Sequence, residues 1–264
     1  MLPPNGSVLG IDVGWSLTAK SSGICRLDWD ETSVSWLVQH FNGDPQTRAE
    51  VVRQVAGGRQ FLAAAFDGPL RGDLAVIDKY RAAERQLTKP ALASRISQPG
   101  SSRSPVGRLL NHHTNEFAAL VLQHAELGPA PHRHAIHDRA LIEAFPTSFL
   151  GLILDNPEKG ARQARSDRYY EALVASGTLD RLLAHHLPGR ALATPFAAIT
   201  NHDDRAALIC ALTALGIANN DYLAVGDSDG WIILPPPSFI ASWAQPIIRD
   251  WNEFGDALVM TALS

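Results

Sequence analysis

Five carboxylates stand where the sequence predicts that a strand ends or a helix begins. Asp12 is the single charged residue near the end of the apolar run VLGIDV, Asp67 follows the run FLAAAF, and Glu143 lies near the end of HDRALIEA. Asp203 and Asp204 open the segment with the strongest helical pattern. A carboxylate buried in a strand costs several kcal/mol unless it is paired, hydrogen-bonded or bound to a metal. The recurrence of acids at these places therefore indicates a functional site.

The chemistry that such acids favour is the binding of a divalent metal. Neighbouring strands lie about 4.8 Å apart, so acids at the ends of adjacent strands are close enough to share one cation. Without a cation the same acids repel each other. Hard oxygen ligands suit Mg²⁺ or Mn²⁺, and we expect one of these ions as the cofactor.

Four motifs together resemble the domain of unknown function 429 family, whose members are predicted ribonuclease H-like nucleases. The motifs are GIDVGWS at residues 10–16, AFDGPL at 65–70, IEAFP at 142–146 and HDDRAALICALTA at 202–214. With the hairpin at 226–235, the resemblance covers residues 7–237 in order. It implies a ribonuclease H-like fold and metal-dependent phosphodiester hydrolysis on a structured nucleic acid, whether RNA, DNA, hybrid or junction.

The resemblance also implies roles for individual residues. Asp12 corresponds to the central metal ligand on the first strand, Asp67 to its partner on the next parallel strand, and Glu143 to a third acid. The chain departs from the family on the last helix, because Ala206 stands where an Asp is expected before the Ala-Leu run. Asp203 lies one turn earlier on the same helix face and is our candidate for the missing catalytic and metal-binding acid.

A basic tract in the middle of the chain predicts a polyanionic partner. The segment from Lys79 to Arg108 contains seven basic residues and one acid, Glu84, in a chain whose formal net charge is −4. We expect Arg81, Arg85 and Lys89 to contact the phosphates of the nucleic acid. A solvated helix face followed by a flexible loop is the alternative explanation of the same charges.

The elements that must position these residues form an α/β fold. Short connections join the predicted strands 8–13, 23–29 and 33–40, which indicates an antiparallel meander of three strands. A helix at 47–55 then leads to a buried strand at 61–66, expected to run parallel to the first. The prediction is a ribonuclease H-like mixed sheet, the meander plus parallel strands, flanked by helices.

The predicted domain organisation is a single domain with an insertion. The ribonuclease H-like domain spans 7–240, interrupted at about 71–133 by a helical insertion that contains a Pro/Gly/Ser-rich tract. Within the insertion we predict helices at 74–87 and 115–127, separated by that tract at 97–107. The segment 241–264 is predicted to be a C-terminal extension.

Composition excludes several classes of protein. The 264 residues are 45% hydrophobic and 19% charged, which indicates a globular chain, and the net charge excludes binding to nucleic acid or membranes by bulk charge. Cys25 and Cys210 are the only cysteines and stand in apolar surroundings, which predicts a reducing compartment. We expect no targeting segment, no membrane span and a cytoplasmic location.

Other functions remain open at this point. The loss of an acid at Ala206 favours a non-catalytic nucleic-acid-binding or regulatory protein. An actin-like ATPase is the least favoured alternative, because Pro69 stands where a phosphate loop needs glycine. The spacing of His132, His134 and His137 allows zinc binding, but the proline-flanked context favours a solvated loop. No serine-hydrolase elbow or nucleotide-binding glycine motif is present.

Overall fold

The computed structural model describes residues 2–129, 138–157 and 164–253. Its strands are β1 Gly6–Asp12, β2 Lys20–Trp29, β3 Ser33–Asn42, β4 Gln60–Phe61, β5 Ala64–Asp67, β6 Glu126–Leu127, β7 Leu141–Ala144, β8 Ala191–Leu192, β9 Leu223–Asp227 and β10 Gly230–Leu234. Its helices are α1 Pro45–Ala56, α2 Ala82–Leu87, α3 Pro90–Ala93, α4 Pro105–His124, α5 Pro146–Ile153, α6 Arg165–Ala175, α7 Thr178–His186, α8 His202–Ala218 and α9 Gln245–Glu253. Among these helices none is long and apolar enough to cross a membrane.

Eight of the strands form one mixed sheet in the order β8-β3-β2-β1-β5-β7-β10-β9. The pairs β1–β2 and β2–β3 are antiparallel, which is the predicted meander. The strands β1, β5, β7 and β10 run parallel to one another, and β9 is antiparallel to β10. The predicted α/β fold with a ribonuclease H-like mixed sheet flanked by helices is therefore confirmed.

Helices cover both faces of the sheet. Alternate residues of β1 point to opposite faces, so Val8 packs in one core with Leu208 of α8. Leu9 packs on the other face with Val52 of α1 and Phe117 of α4. This arrangement makes α4 part of a helical layer on one face, whereas we predicted an insertion over one end of the sheet.

Several element boundaries differ from the predicted ones. Helix α4 begins ten residues earlier than expected, at Pro105, because the Ser104 hydroxyl accepts a hydrogen bond from the Gly107 N–H at 2.9 Å and caps the helix. The predicted helix at 74–87 is reduced to the six residues of α2, preceded by a short 3₁₀ turn at Gly72–Leu74. The predicted strand at 137–144 is described from Leu141, and its first residue, His137, lies outside the described residues.

The described part of the C-terminal segment continues the core of the domain. Ile240, Ala244 and Ile248 pack with Leu223 of β9 and Ile232 of β10. Helix α9 is thus attached to the β9–β10 hairpin, at the end of the sheet remote from the meander.

Two glycines let α8 lie unusually close to β1 and β2. A Cβ atom on Gly10 would lie 2.1 Å from the Ala207 carbonyl oxygen, and one on Gly23 would lie 2.4 Å from that of Asp203. Any larger residue at either position would push the helix off the sheet. The close approach brings the first turn of α8 to the end of β1, where Asp12 stands.

Candidate active site at the strand ends

One row of register partners crosses the central strands and carries the candidate site. His40 of β3 pairs with Gly23 of β2, Gly23 pairs with Asp12 of β1, and Asp12 pairs with Asp67 of β5. Both acids are partly buried. The structure therefore brings Asp12 and Asp67 together as neighbours at the carboxyl ends of adjacent parallel strands, as the sequence predicts.

Local hydrogen bonds hold the loop that follows Asp12. The Ser22 hydroxyl accepts from the Gly14 N–H at 3.1 Å and donates to the Gly14 carbonyl oxygen at 3.2 Å. A Cβ on Gly14 would lie 1.7 Å from the Ser21 carbonyl oxygen, so only glycine fits there. The close loop fixes the point at which β1 ends.

The turn after Asp67 is held by α4. Asn111 donates a hydrogen bond to the Pro69 carbonyl oxygen at 2.9 Å. A Cβ on Gly68 would lie 2.1 Å from the Thr114 hydroxyl oxygen, which shows how closely the helix passes. Residues of the predicted insertion thus position one wall of the site.

The first turn of α8 supplies two further acids, Asp203 and Asp204. The Asn201 side chain caps the helix by accepting from the N–H groups of Asp203 at 2.8 Å and Asp204 at 3.2 Å. Neither aspartate is therefore needed as the cap, and both side chains are partly buried beside β1 and β2. The charges of both also act on Asp12.

The four acids, Asp12, Asp67, Asp203 and Asp204, are called the strand-end carboxylates below. Burial, and then repulsion by Asp67 and by the two α8 acids, raises the pKa of Asp12 well above its usual range. Burial and the charge of Glu143 raise the pKa of Asp67, and His202 lowers it in part. The cluster therefore resists carrying its full negative charge unless a cation is added.

Few protein groups balance these charges. In the described part of the chain, no hydrogen bond or ion pair reaches the carboxylate of Asp12 or of Asp67. One oxygen of Asp204 lies 3.6 Å from His40 Nδ1, and its other oxygen is buried without a hydrogen-bond partner. Such an orphaned oxygen is what a missing cation or its water would satisfy.

The strand-end carboxylates are not drawn together as tightly as a fully assembled metal site. Across the residues described, two other groups place three His, Asp or Glu ligand atoms within 4.8 Å of one another, and this one does not. Side-chain rotation or bridging waters are needed to complete a coordination shell. Mg²⁺ fits this requirement, because it usually keeps several of its waters.

Glu143 does not join this cluster as a free ligand, which corrects the prediction. Its neighbours Ile142 and Ala144 pack on the α8 face, so Glu143 points to the opposite face from Asp12. Both of its oxygens are taken by Arg81, at 2.7 and 2.8 Å, and one also accepts from the Leu70 N–H. Glu143 is therefore a structural acid, held in a buried ion pair.

Arg81 is likewise not a surface residue, so it is unavailable to a nucleic-acid phosphate. It is 1% exposed and also donates to Glu84, which is fully buried. Arg85 and Lys89, in contrast, are exposed, as a phosphate contact requires. The prediction for Arg81 is wrong because a tract of basic residues in the sequence does not show which of its side chains turn inward.

Two cavities meet at Asp67. The smaller, about 30 Å³, is also lined by Ala206, His202 and Arg205, and has room for one or two waters. The larger, about 230 Å³, extends past Glu143 along the first turn of α4. Ala206 therefore faces Asp67, whereas Asp203 lies over Gly23 on the side of Asp12.

The sequence did not single out His40 or His202 as members of the site, and it gave Asp204 no ligand role of its own. His40 is aligned with Asp12 through the register of the two hairpins, which short connections could have revealed. His202 lies beside the smaller cavity and contacts Asp167 of α6, with Nδ1 and Oδ2 3.1 Å apart. That contact joins distant segments and leaves no local signal.

The fold and this site together define an α/β protein with a ribonuclease H-like layout and an acidic cluster at the ends of its central strands. No protein family, curated protein or solved structure matches the chain. The likeness to the domain of unknown function 429 family accordingly remains a resemblance of motifs.

Proposed function

We propose that this protein is a metal-dependent phosphodiester hydrolase, a ribonuclease H-like nuclease, that acts on a structured nucleic acid. The observation that carries the proposal is the pairing of Asp12 with Asp67 on adjacent parallel strands, with Asp203 and Asp204 beside them and no hydrogen bond or ion pair from the described residues to either carboxylate of the pair. Carboxylates that repel one another in this way either take up protons or bind a cation, and a divalent metal ion lets all of them stay ionised.

The donor set fits Mg²⁺ or Mn²⁺ better than a softer metal. Asp12 and Asp67 would bind the ion directly, and Asp203 with Asp204 would bind it directly or hold its waters. Oxygen donors of this kind favour hard divalent cations. When bound, divalent cations supply the Lewis acidity that phosphodiester hydrolysis needs.

The substrate side of the proposal rests on the larger cavity and the charges near it. The first turn of α4 lines this cavity with Asp67, and the positive end of the helix dipole attracts phosphate. The exposed Arg103 and Arg108 flank that turn. A phosphate seated against α4 would place the neighbouring phosphodiester near Asp67.

A second candidate function is a nucleic-acid-binding or regulatory protein without catalysis. Ala206 favours it, because this residue lines the cavity beside Asp67 and carries no ligand atom. A chain with one acid fewer would bind the second ion weakly and cleave slowly or not at all.

Metal binding and cleavage measured on the same variants separate the two candidates. Wild type, Asp12→Asn and the control Asp155→Asn, which alters an exposed acid outside the cluster, are titrated with Mn²⁺ and incubated with hairpin, hybrid and junction substrates. We expect wild type and the control to bind Mn²⁺ and cleave, and Asp12→Asn to do neither. If wild type binds Mn²⁺ and does not cleave, the second candidate, a nucleic-acid-binding protein without catalysis, is favoured. Cleavage by Asp12→Asn at the wild-type rate would falsify the proposal that this site is the active site of a nuclease.

We also propose a cytoplasmic location. Cys25 and Cys210 are both free thiols in the core, and burial raises the pKa of each. Thiols in this state fit a reducing compartment. Fractionation of cells that produce the protein tests the location directly.

A further inference from the structure

We propose that His185, His186 and Asp221 form a second metal site, for Zn²⁺ or a similar transition-metal ion. The two histidines end α7, and Asp221 lies in the turn between α8 and β9. Helix α8 has 17 residues and is therefore about 25 Å long, with the strand-end carboxylates at its first turn and this site at its last. The inference is independent of the proposed nuclease function.

The three side chains already converge as a ligand set. Their ligand atoms all lie within 4.8 Å of one another, and His185 Nε2 is 2.6 Å from Asp221 Oδ2. A four-coordinate Zn²⁺ with bonds of about 2.0–2.1 Å separates its ligand atoms by roughly 3.3 Å. Small rotations of the His185 and Asp221 side chains open that space. Phe239 packs against the His185 ring at 5.2 Å and limits its other movements.

Two unpartnered atoms point to a missing ion at this place. His186 Nε2 and Asp221 Oδ1 are buried without a hydrogen-bond partner, and the two residues are only 3% and 7% exposed. An unsatisfied buried polar atom costs about 1–3 kcal/mol, so a metal bound to both would remove two such costs. Burial also lowers the pKa of His186 to about 4, which leaves the ring neutral at pH 7, the form that binds metals.

Asn219 is placed to orient the His186 ring for that role. Its amide group lies beside His186, with Nδ2 3.2 Å from His186 Nδ1. The two ends of an amide are interchangeable by a flip of the side chain. With its oxygen turned inward, Asn219 accepts from the Nδ1–H and leaves the lone pair of Nε2 directed at the metal. Metal-binding histidines are commonly held by such a partner on the other ring nitrogen.

A second compact His/Glu group among the described residues differs in one decisive way. His112, His113 and Glu116 of α4 also bring their ligand atoms within 4.8 Å. There, however, the Arg48 guanidinium lies 2.5 Å from Glu116 and 3.2 Å from His113 Nδ1. A protein cation already occupies that group, which makes it the matched control.

A surface cavity lies beside two of the three ligand residues, His185 and His186. It has a volume of about 640 Å³ and is also lined by Glu31, Arg190 and Asn219. Three protein ligands leave the fourth position of a tetrahedral ion free for water or for a small anion. The cavity provides a route for the ion from the side of the exposed His185.

Metal titration of the full chain, prepared without a polyhistidine tag, tests the site. Zn²⁺ binding is measured by calorimetry and Co²⁺ binding by visible absorption, since four-coordinate Co²⁺ absorbs far more strongly than the six-coordinate ion expected at an oxygen site. The variants are His185→Gln, Asp221→Asn, the control His112→Gln, and Asp12→Asn. The side chain of His185 is 39% exposed, so its replacement leaves the core intact.

We expect one Zn²⁺ per chain to bind tightly at this site, apart from any ion at the strand-end carboxylates, and Co²⁺ at this site to give the strong absorption. His185→Gln and Asp221→Asn should each weaken Zn²⁺ binding more than tenfold and lose that spectrum, while His112→Gln and Asp12→Asn retain both. Zn²⁺ should raise the Tm of wild type and leave that of His185→Gln unchanged. The proposal is overturned if wild type binds no Zn²⁺, if both site variants bind like wild type, or if only Asp12→Asn loses binding.

Discussion

Two groups of carboxylates near the ends of the central strands differ in what balances their charge. Glu84 and Glu143 surround the buried Arg81, which donates to both, and Glu84 also accepts from the Ser102 N–H and hydroxyl. Among the described residues, no arginine or lysine forms a hydrogen bond or ion pair with the strand-end carboxylates, and only the charge of Lys20 acts on Asp204 from a distance. We call Glu84 and Glu143 the closed group, because Arg81 pairs with both, and the strand-end carboxylates the open group.

The comparison distinguishes carboxylates that are already paired within the protein from carboxylates whose oxygens are free to bind a ligand. A buried carboxylate without a partner lowers the stability of the folded state. Arg81 removes this cost for Glu84 and Glu143, the two acids that are fully enclosed. In the described ranges no arginine or lysine pairs with Asp12 or Asp67, and burial raises the pKa of both, helped by repulsion from Asp67 at Asp12 and from Glu143 at Asp67. On the proposed function these carboxylates bind a metal ion, and an arginine paired with them would compete for the same oxygens.

The largest effect on stability should come from removing Arg81, the partner of the closed group. Arg81→Ala removes the partner of two buried carboxylates, and we expect the free energy of unfolding to fall by about 3–5 kcal/mol, measured by urea denaturation. The neighbouring Arg85 is exposed, so Arg85→Ala should change the same quantity by less than about 0.5 kcal/mol.

A second substitution distinguishes orphaned charge from lost packing. Adding Glu143→Gln to Arg81→Ala removes one of the two uncompensated charges and should restore part of the stability. If Arg81→Ala is as stable as wild type, the two groups do not differ as described.

The opposite result is expected when the open group loses an acid. Asp12→Asn removes a repelling charge, so the Tm of the metal-free protein should rise by roughly 2–4 °C, equivalent to about 1 kcal/mol for a chain of this size. Saturating Mg²⁺ should raise the Tm of wild type and not that of the variant. A metal-free Tm lower than that of wild type would mean that Asp12 has a partner of its own.

The comparison of wild type with Asp12→Asn also shows in which direction the Tm changes with pH. The pKa of Asp12 is raised in the folded state, so its contribution is fully present below the unfolded pKa of about 3.9 and is lost as pH rises through the raised value. The Tm of metal-free wild type, relative to Asp12→Asn, should therefore decrease as pH increases from 4 to 8. Taking the difference cancels the titration of groups common to both, such as His186.

The local order of the fold could be predicted from the sequence because its signals are local. Asp30 closes the β2–β3 turn by accepting from the N–H groups of Thr32 at 2.8 Å and Ser33 at 2.7 Å. The short turn sets the register, and the register brings His40 into the row of Asp12 and Asp67. Helix α8 was predicted from its cap and its apolar residues.

The partners of Glu143 could not be predicted in the same way. Arg81 is 62 residues away in the chain, in a segment whose basic residues suggested a surface. Strand β7 has four residues, too few for alternation alone to show which face Glu143 would take. Long-range charge pairing therefore decided the role of both residues, and no local pattern carries it.

An aspartate in place of Ala206 should strengthen metal binding by the strand-end carboxylates. Ala206 faces Asp67 across the smaller cavity, so Ala206→Asp adds a ligand where the resemblance expects one. We expect Mn²⁺ to bind about tenfold more tightly and turnover to rise, whereas Asp203→Asn should weaken both. Calorimetry on Ala206→Asn separates the effect of charge from that of shape. If neither charged-residue change alters Mn²⁺ affinity, α8 does not belong to the site.

The smallest effect concerns the exposed basic residues that remain once Arg81 is assigned to the core. Lys79 is paired with Asp229 at 2.7 Å, and Arg95 stacks on Trp243 at 4.7 Å, which leaves Arg85 and Lys89 among the residues free to meet a phosphate. Each lost phosphate contact lowers the slope of log affinity against log salt by roughly 0.9 on duplex DNA.

Arg85→Ala combined with Lys89→Ala should therefore flatten that slope by up to about 2, measured on a hairpin in the Asp12→Asn background so that no cleavage occurs. Arg59→Ala is the matched control, because Arg59 is equally exposed but precedes β4, at the end of the sheet away from Asp67. An equal change in the control would assign the effect to net charge. An unchanged slope in the double variant would place the phosphates elsewhere, and Arg103 and Arg108 beside α4 would be the next pair to replace.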